Sequence, residues 1–269
     1  MADKKERLDI LLVEKGFFQS RERAKTSIMA GSVFIDGRRV DKSGEKVKVD
    51  AEIIVKGNDI PYVSRGGFKL EKAIKAFDID LKGTVCLDIG ASTGGFTDCM
   101  LQNAAMKVYA IDVGYGQFAW KLRTDERVVC MERTNVRYVT EDQLAEKANF
   151  ASIDVSFISL TKVIPAVINL LDDKGEVVAL IKPQFEAGRE KVGKKGVVRD
   201  PNTHKEVIEK IVGFITSLNL SIKGLDFSPI KGPEGNIEYL VYFTKDKVET
   251  SFDLEERIEK VVQDSHNNI

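Results

Sequence analysis
The sequence predicts an α/β protein in two parts. A small α+β unit occupies residues 1–59, and a doubly wound, mainly parallel sheet occupies 66–269, with a linker at 60–65 between them. Three observations carry this reading. Beyond residue 84, short apolar runs of strand character alternate with helical patterns, the signature of a parallel sheet with crossover helices. A glycine-rich turn, Gly90 to Gly95, joins the first of those strands to a helix. Before residue 60 the order differs, because two helical patterns come first and short alternating strands follow.

Composition sets the outer bounds. With 43% hydrophobic and 31% charged residues among 269, the chain has material for a core and a solvated surface. The densest apolar runs, such as Val177–Ile181, stop at charges far short of a membrane span, and no basic, apolar, small-residue series precedes the first helix. The expectation is a cytoplasmic protein with no membrane partner. Cys86, Cys99 and Cys130 lack metal-ligand spacing and read as small core residues, so no metal is expected. A net charge of −1 gives no global attraction for nucleic acid, and any such binding must come from local patches.

In the first unit Leu8, Leu11 and Leu12 recur at helical spacing, Ser20 is a suitable N-cap for a second helix, and Gly31 suits its stop. Val33 and Ile35, then Val47, Val49, Ile53 and Val55, alternate with polar residues, and Asp36-Gly37 is a hairpin signal. Arg21 and Lys25 stand four apart on one helix face, as two phosphate contacts require. Residues 1–60 hold thirteen Lys and Arg against eleven Asp and Glu, so charge alone leaves a solvated surface equally open. The run Arg7-Leu-Asp, then Ser20-Arg21-x-x-Ala24, Ile28-x-x-Gly31-x-Val33 and Asp36-Gly37, resembles the S4 RNA-binding domain, with Asp36 in place of the usual Asn. The resemblance implies that Arg7, Arg21 and Lys25 face structured RNA; Arg65, at the end of the linker, joins them as a candidate RNA contact.

Gly57 and Pro61 mark the break between the parts. Gly66-Gly-Phe-Lys-Leu70 then leads into a helix with Leu70, Ala73, Ile74 and Phe77 on its apolar face. Strands are expected at 84–89, 107–112, 128–131, 150–154, 176–181, 221–228 and 237–244. Helices are expected from about Thr97, through 160–171 and through 201–218. Ligands of such sheets bind beyond the carboxyl ends of the strands. Asp88, Asp112, Asp154 and Lys182 all fall at expected strand ends, which makes them one constellation.

The turn at 90–95 admits several motif names, and the residues remove most of them. Phe96-Thr97 follows where a P-loop needs Lys-Ser/Thr. Gly90-Ala-Ser-Thr-Gly94 matches a nucleophile elbow in form, but the only histidines are His204, at an expected helix start, and His266, in a polar tail. Ser92 replaces the second glycine of the dinucleotide pattern. What remains is Asp88-x-Gly90-x-x-x-Gly94, with Asp112 ending the next strand where an acid takes ribose hydroxyls.

This pair resembles motifs I and II of the class I S-adenosylmethionine-dependent methyltransferases, which have a Rossmann-like fold. By that resemblance Asp88, Gly90, Ala91, Ser92, Thr93, Gly94, Gly95 and Phe96 cradle S-adenosylmethionine, Asp112 takes its ribose, and its adenine lies near Asn135. Over nearly the full length, an S4 unit followed by Ser64–Leu70 and Leu87–Asp98 is similar to the TlyA family, historically labelled hemolysins, whose catalytic domain is similar to the FtsJ ribose methyltransferases. The Lys-Asp-Lys-Glu tetrad of those enzymes falls on Lys69, Asp154, Lys182 and Glu238. The implied activity is 2′-O-methylation of ribosomal RNA, at cytidine in 16S or 23S rRNA or both, with ribosomal RNA or subunits as partner. Lys182 is the expected base, and Asp154 and Glu238 orient. The loop Lys182–Arg199 reads as a flexible basic flap over RNA, or on composition as a solvated loop. A non-catalytic ribosome-assembly factor and a membrane-active hemolysin are the other classes weighed. The first need not keep the tetrad, and the second calls for an insertion segment that is not evident.

Overall fold
The computed structural model describes residues 5–18, 20–55 and 61–269. Its contacts divide the chain into Met1–Ser64 and Arg65–Ile269. The linker expected at 60–65 lies among the described residues only from Pro61 onward.

In the first unit β1 (Lys5–Arg7) leads into α1 (Leu8–Glu14), and α2 (Arg21–Met29) follows. Ser20 caps α2 by accepting the Arg23 N–H, and Gly31, at φ +73°, lets the chain leave it. β2 (Val33–Ile35) and β3 (Arg38–Arg39) form a hairpin whose Asp36 and Gly37 both take positive φ, as a type I′ turn demands. β4 (Lys46–Lys48) pairs with β1, and β5 (Ile53–Val55) pairs with β2. Leu8, Leu11, Leu12, Ala24, Ile28, Val33 and Ile35 share one apolar core, so the helical and alternating patterns converge on one face.

The second unit opens with α3 (Gly67–Phe77). Then come β6 (Val85–Ile89), α4 (Gly95–Gln102), β7 (Lys107–Ile111), the short α5 (Trp120–Arg123), β8 (Val128–Met131) and β9 (Ala148–Ile153). After α6 (Ile164–Asn169) follow β10 (Leu171–Ile181), α7 (Pro183–Glu186), α8 (Pro201–Ser217), β11 (Ser221–Phe227), β12 (Tyr239–Thr244) and α9 (Leu254–Asn268). The seven-stranded sheet has the order β11-β12-β10-β9-β6-β7-β8. The pairs β10–β9, β9–β6, β6–β7 and β7–β8 are parallel, whereas β12 runs antiparallel to both its neighbours. The chain winds outward from β6 in one direction and from β9 in the other. The switch point, where such sheets form a crevice, therefore lies between the ends of β6 and β9.

Two elements depart from expectation. The helix expected through 160–171 is a 3₁₀ turn, Leu160–Lys162, followed by the short α6, and Leu171 already opens β10. Apolar residues dominate 163–171, broken only by Asn169, so periodicity could not separate a buried helix from a buried strand there. The tail after Phe252 is also not irregular. Asp253 caps α9 by accepting the Glu256 N–H, and Ile258, Val261 and Val262 join the core beside Ile208, Ile211 and Ile215 of α8.

Candidate active site
Asp88 and Gly90 end β6, and Asp154 follows β9, so the switch point brings the glycine turn against the acid. A Cβ on Gly90 would lie 2.4 Å from the Asp154 carbonyl oxygen, and its φ is +85°. Glycine is required there by close approach as well as by conformation. The turn continues through Ser92, also at positive φ, and Gly94, whose N–H donates to the Ala91 carbonyl (2.7 Å) before α4 begins.

The residues expected to cradle a ligand separate into two layers. Gly90, Ser92, Asp112 and Asn135 line a cavity of ≈ 550 Å³, with Ile111, Val136 and Ile158 as apolar wall and Asp154 and Phe157 at its side. Asp112 Oδ2 accepts the Ser92 N–H (2.7 Å) and Oδ1 accepts the Gly114 N–H (2.6 Å), so this carboxylate organises the loops after both β6 and β7. Asn135 Oδ1 accepts the Arg137 N–H and its Nε–H, which fixes Arg137 on the same wall. Asp88, by contrast, does not line this cavity. It is 1% exposed, and its Oδ2 accepts the Thr97 N–H and hydroxyl (2.8 and 2.6 Å). Burial pushes it up to about 7 against those two bonds. Ala91, Phe96 and Gly95 are buried behind the turn, Gly94 packs against Leu122 and Phe118, and Thr93 accepts the Ala119 N–H with its carbonyl. Of the residues expected to cradle the ligand, Gly90, Ser92, Asp112 and Asn135 line the cavity, whereas these six lie behind or beside the turn that carries Gly90 and Ser92.

The four residues of the expected tetrad come together, although 169 positions separate Lys69 from Glu238. Lys69 lies in the first turn of α3, Asp154 follows β9, Lys182 follows β10, and Glu238 precedes β12. Glu238 Oε2 stands 2.5 Å from Lys69 Nζ, which is 3.5 Å from Asp154 Oδ2; Asp154 Oδ1 stands 2.5 Å from Lys182 Nζ. Carboxylate and ammonium therefore alternate along one chain. Lys182 also donates to the Ser156 hydroxyl at 3.3 Å. Burial alone would pull the Lys69 ammonium down, yet Asp154 and Glu238 outweigh it and hold it above the ordinary lysine range. Burial would likewise raise Asp154, and the two ammonium groups hold it below the usual carboxylate range.

Sequence reasoning missed Phe157. It is 90% exposed, its φ is +62°, and its ring sits 4.9 Å from that of Phe185. A bulky residue at positive φ is strained, and such strain concentrates at functional sites. Periodicity carries no trace of it, because Phe157 lies in a loop. The loop is anchored by Glu186, whose carboxylate accepts the Ser159 hydroxyl (2.6 Å) and the Leu160 N–H (2.7 Å).

The candidate RNA contacts are not all free. Arg7 and Arg21 both pair with the fully buried Asp9, at 3.0 and 2.7 Å, and hold its carboxyl at about 2. Each guanidinium has further donors, so Asp9 fixes the two cations without exhausting them. Lys25 lies on the same helix, and Arg65 is exposed just before α3.

Comparison with known proteins follows the same division. The FtsJ-like methyltransferase family matches residues 62–245, and the S4 domain matches residues 6–53. YqxC of Bacillus subtilis, named as a candidate rRNA methyltransferase, is 52% identical over all of this chain and 97% of its own length. The 16S/23S rRNA (cytidine-2′-O)-methyltransferase TlyA of Mycobacterium tuberculosis is 39% identical over 96% of this chain and 97% of its own. A solved structure from Streptococcus thermophilus, described as a candidate hemolysin, is 48% identical with a TM-score of 0.78, covering 99% of this chain and 98% of that one.

Proposed function
Because the chain belongs to the FtsJ-like methyltransferases and, with its S4 domain, to the TlyA family, we propose that it methylates ribosomal RNA at a ribose 2′-hydroxyl, using S-adenosylmethionine, in the cytoplasm. The observation that carries this reading is the alternating chain Glu238–Lys69–Asp154–Lys182, which meets the cavity wall at Asp154. The relatives' names point to cytidine in 16S or 23S rRNA as the target.

The cavity fits the methyl donor. Its volume lies within the ~300–1,000 Å³ of small-molecule sites. Asp112 offers a carboxylate to a ribose diol, Ile111, Val136 and Ile158 offer an apolar face to an adenine beside Asn135, and glycine at 90 leaves room for close approach. When bound there, S-adenosylmethionine supplies an electrophilic methyl group on a sulfonium.

The chain's own residues supply the rest. Lys182, once its ammonium has released a proton to solvent, takes the proton of the attacking 2′-hydroxyl through its neutral Nζ, and the ammonium that re-forms faces Asp154 as before. Lys69, kept charged, and Glu238 hold the Asp154 carboxylate in place, so the acids orient and do not themselves remove the proton. Phe157, whose ring packs on Phe185 next to Lys182, offers an exposed aromatic face for the target base to stack on; one such contact is worth about 1–3 kcal/mol. Ribosomal RNA reaches the site through the S4 unit, by Arg7, Arg21 and Lys25, with Arg65 at the threshold of the catalytic unit.

The test is transfer of radiolabelled methyl from S-adenosylmethionine to stripped ribosomal subunits and to their RNA, with the product position mapped. Incorporation at a ribose is expected, and Lys182→Ala should abolish it. If RNA binds but no substrate is methylated, the non-catalytic assembly-factor reading wins. If Lys182→Ala transfers as well as the parent, Lys182 is not the base. For the hemolysin reading, no helix among the described residues is long and apolar enough to cross a membrane.

A further inference from the structure
The basic loop after Lys182 is not a loose flap. Gly193 and Gly196 close a tight turn, in which the Gly196 N–H donates to the Gly193 carbonyl (2.8 Å) and the Gly193 N–H to the Val197 carbonyl (3.1 Å). Asn236, 2% exposed, pins this turn from below. Its Oδ1 accepts the Val198 N–H (3.0 Å), and its Nδ2 donates to the Gly196 carbonyl (2.9 Å). A third tie comes from the buried His204, whose Nε2 lies 3.0 Å from the Val198 carbonyl. Asn236 stands two residues before Glu238 and also accepts the Gly232 N–H, so one short loop holds both the turn and a member of the tetrad.

On its outer side the turn presents Lys194, Lys195 and Arg199 around a hollow of ≈ 360 Å³. The lining also includes Asp200, its carboxylate engaged in capping α8 by accepting the Asn202 and Thr203 N–H groups and the Thr203 hydroxyl. All three cations are exposed, and among the described residues no acidic side chain pairs with them. Lys191, at the rim, differs, because it is paired with Glu206. Three exposed cations gathered on one ordered turn offer an approaching anion several charges at once.

We propose that this turn is a phosphate-binding cradle for the RNA backbone flanking the methylated nucleotide, with Lys194, Lys195 and Arg199 as its contacts. The proposal rests on the RNA methyltransferase reading above. RNA phosphate is the anion favoured because Asn236, two residues from Glu238, ties the cradle to the loop that carries this member of the tetrad, which keeps a strand that reaches the tetrad close to the turn. Phosphate contacts of this kind fix register without reading sequence.

The experiment uses the full chain and a fluorescent ribosomal RNA stem-loop, titrated over a range of KCl concentrations. In Lys194→Ala/Lys195→Ala/Arg199→Ala, affinity should fall at least about tenfold. The slope of log K against log salt should become shallower by about 2, as expected for three lost contacts to single-stranded backbone. S-adenosylmethionine affinity and melting temperature should not change. The charge-preserving Lys194→Arg/Lys195→Arg/Arg199→Lys should restore both affinity and slope. An alanine variant with parental affinity and slope would overturn the cradle, and so would a charge-preserving variant that behaves like it. Failure of the methyltransferase reading shows separately, as a parent protein that binds this RNA with its full salt slope yet transfers no methyl group.

Discussion
Asp154 spends both carboxylate oxygens on ammonium groups, Oδ1 on Lys182 and Oδ2 on Lys69, and its backbone carbonyl fixes glycine at position 90. It is the one residue shared by the charge chain and the cavity wall. Asp154→Asn would leave the largely buried Lys69 with Glu238 alone and Lys182 with only the Ser156 hydroxyl. Breaking a buried pair this way costs about 3–5 kcal/mol, less whatever water reaches the partly exposed carboxylate. The expected outcome is loss of methyl transfer by at least about a hundredfold, with a lower melting temperature. The pH dependence has a definite sign. Asp154 is held low in the fold, so its contribution is complete above the ordinary carboxylate range and is lost as pH falls through its depressed value. Lys69 is held high, so its contribution is lost only as pH rises past the lysine range. Melting curves that are superimposable for parent and Asp154→Asn at neutral pH would refute this. The proximity of the four was legible through the family resemblance, each sitting in a recognisable motif run, although only Asp154 and Lys182 follow strands; Lys69 lies in α3 and Glu238 precedes β12. Asp88 was not legible, since strand-end position cannot tell a carboxylate that meets a ligand from one that turns back to bond Thr97.

Among elements, α9 shows most clearly what pattern reading lacked. Its apolar positions are sparse in a charged sequence, and only packing against α8 and β11 makes it a core helix. It also ends in the second of the chain's two histidines. His266 Nε2 lies 3.0 Å from His204 Nδ1, which stands 2.8 Å from the Tyr239 hydroxyl, and that hydroxyl lies 3.0 Å from Ser265 Oγ. If His204 Nε2 donates to the Val198 carbonyl, its Nδ1 keeps one lone pair, which the Tyr239 hydroxyl and His266 Nε2 compete for, the hydroxyl having Ser265 Oγ as its other partner. Either arrangement leaves both rings neutral. Burial pulls His204 down to about 4, with the Val198 carbonyl opposing. The sign follows: above pH 6.5 its contribution is complete, and between about 6.5 and 4 the unfolded chain takes up a proton the fold refuses. The loss approaches about 3 kcal/mol at the lower limit. Melting temperature should therefore fall between pH 7 and 4.5, and His204→Gln should melt lower at pH 7 but with a shallower acid slope. Equal acid slopes in the two proteins would dismiss the role of His204. Because Tyr239 follows Glu238, the same cluster braces the strand end that completes the tetrad.

For the molecule as a whole, the proposed function divides the work between an S4 unit that holds RNA and a unit that transfers a methyl group, and that division has a kinetic consequence. If the S4 unit supplies affinity alone, removing its cations weakens the substrate complex and leaves the chemical step untouched. KM for RNA then rises while kcat stays constant. Arg7 and Arg21 are poor probes of this, since both also hold the buried Asp9, and replacing either disturbs the core beside Leu8 and Leu12. Lys25 is the better one. It lies half-buried on α2, and among the described residues no acidic side chain pairs with it. Lys25→Glu should raise KM for ribosomal RNA roughly tenfold, one phosphate contact being lost and a repulsion gained. It should leave kcat, S-adenosylmethionine affinity and melting temperature at parental values. A fall in kcat with KM unchanged would mean that the S4 unit acts on the chemical step itself, and the division of labour would have to be abandoned.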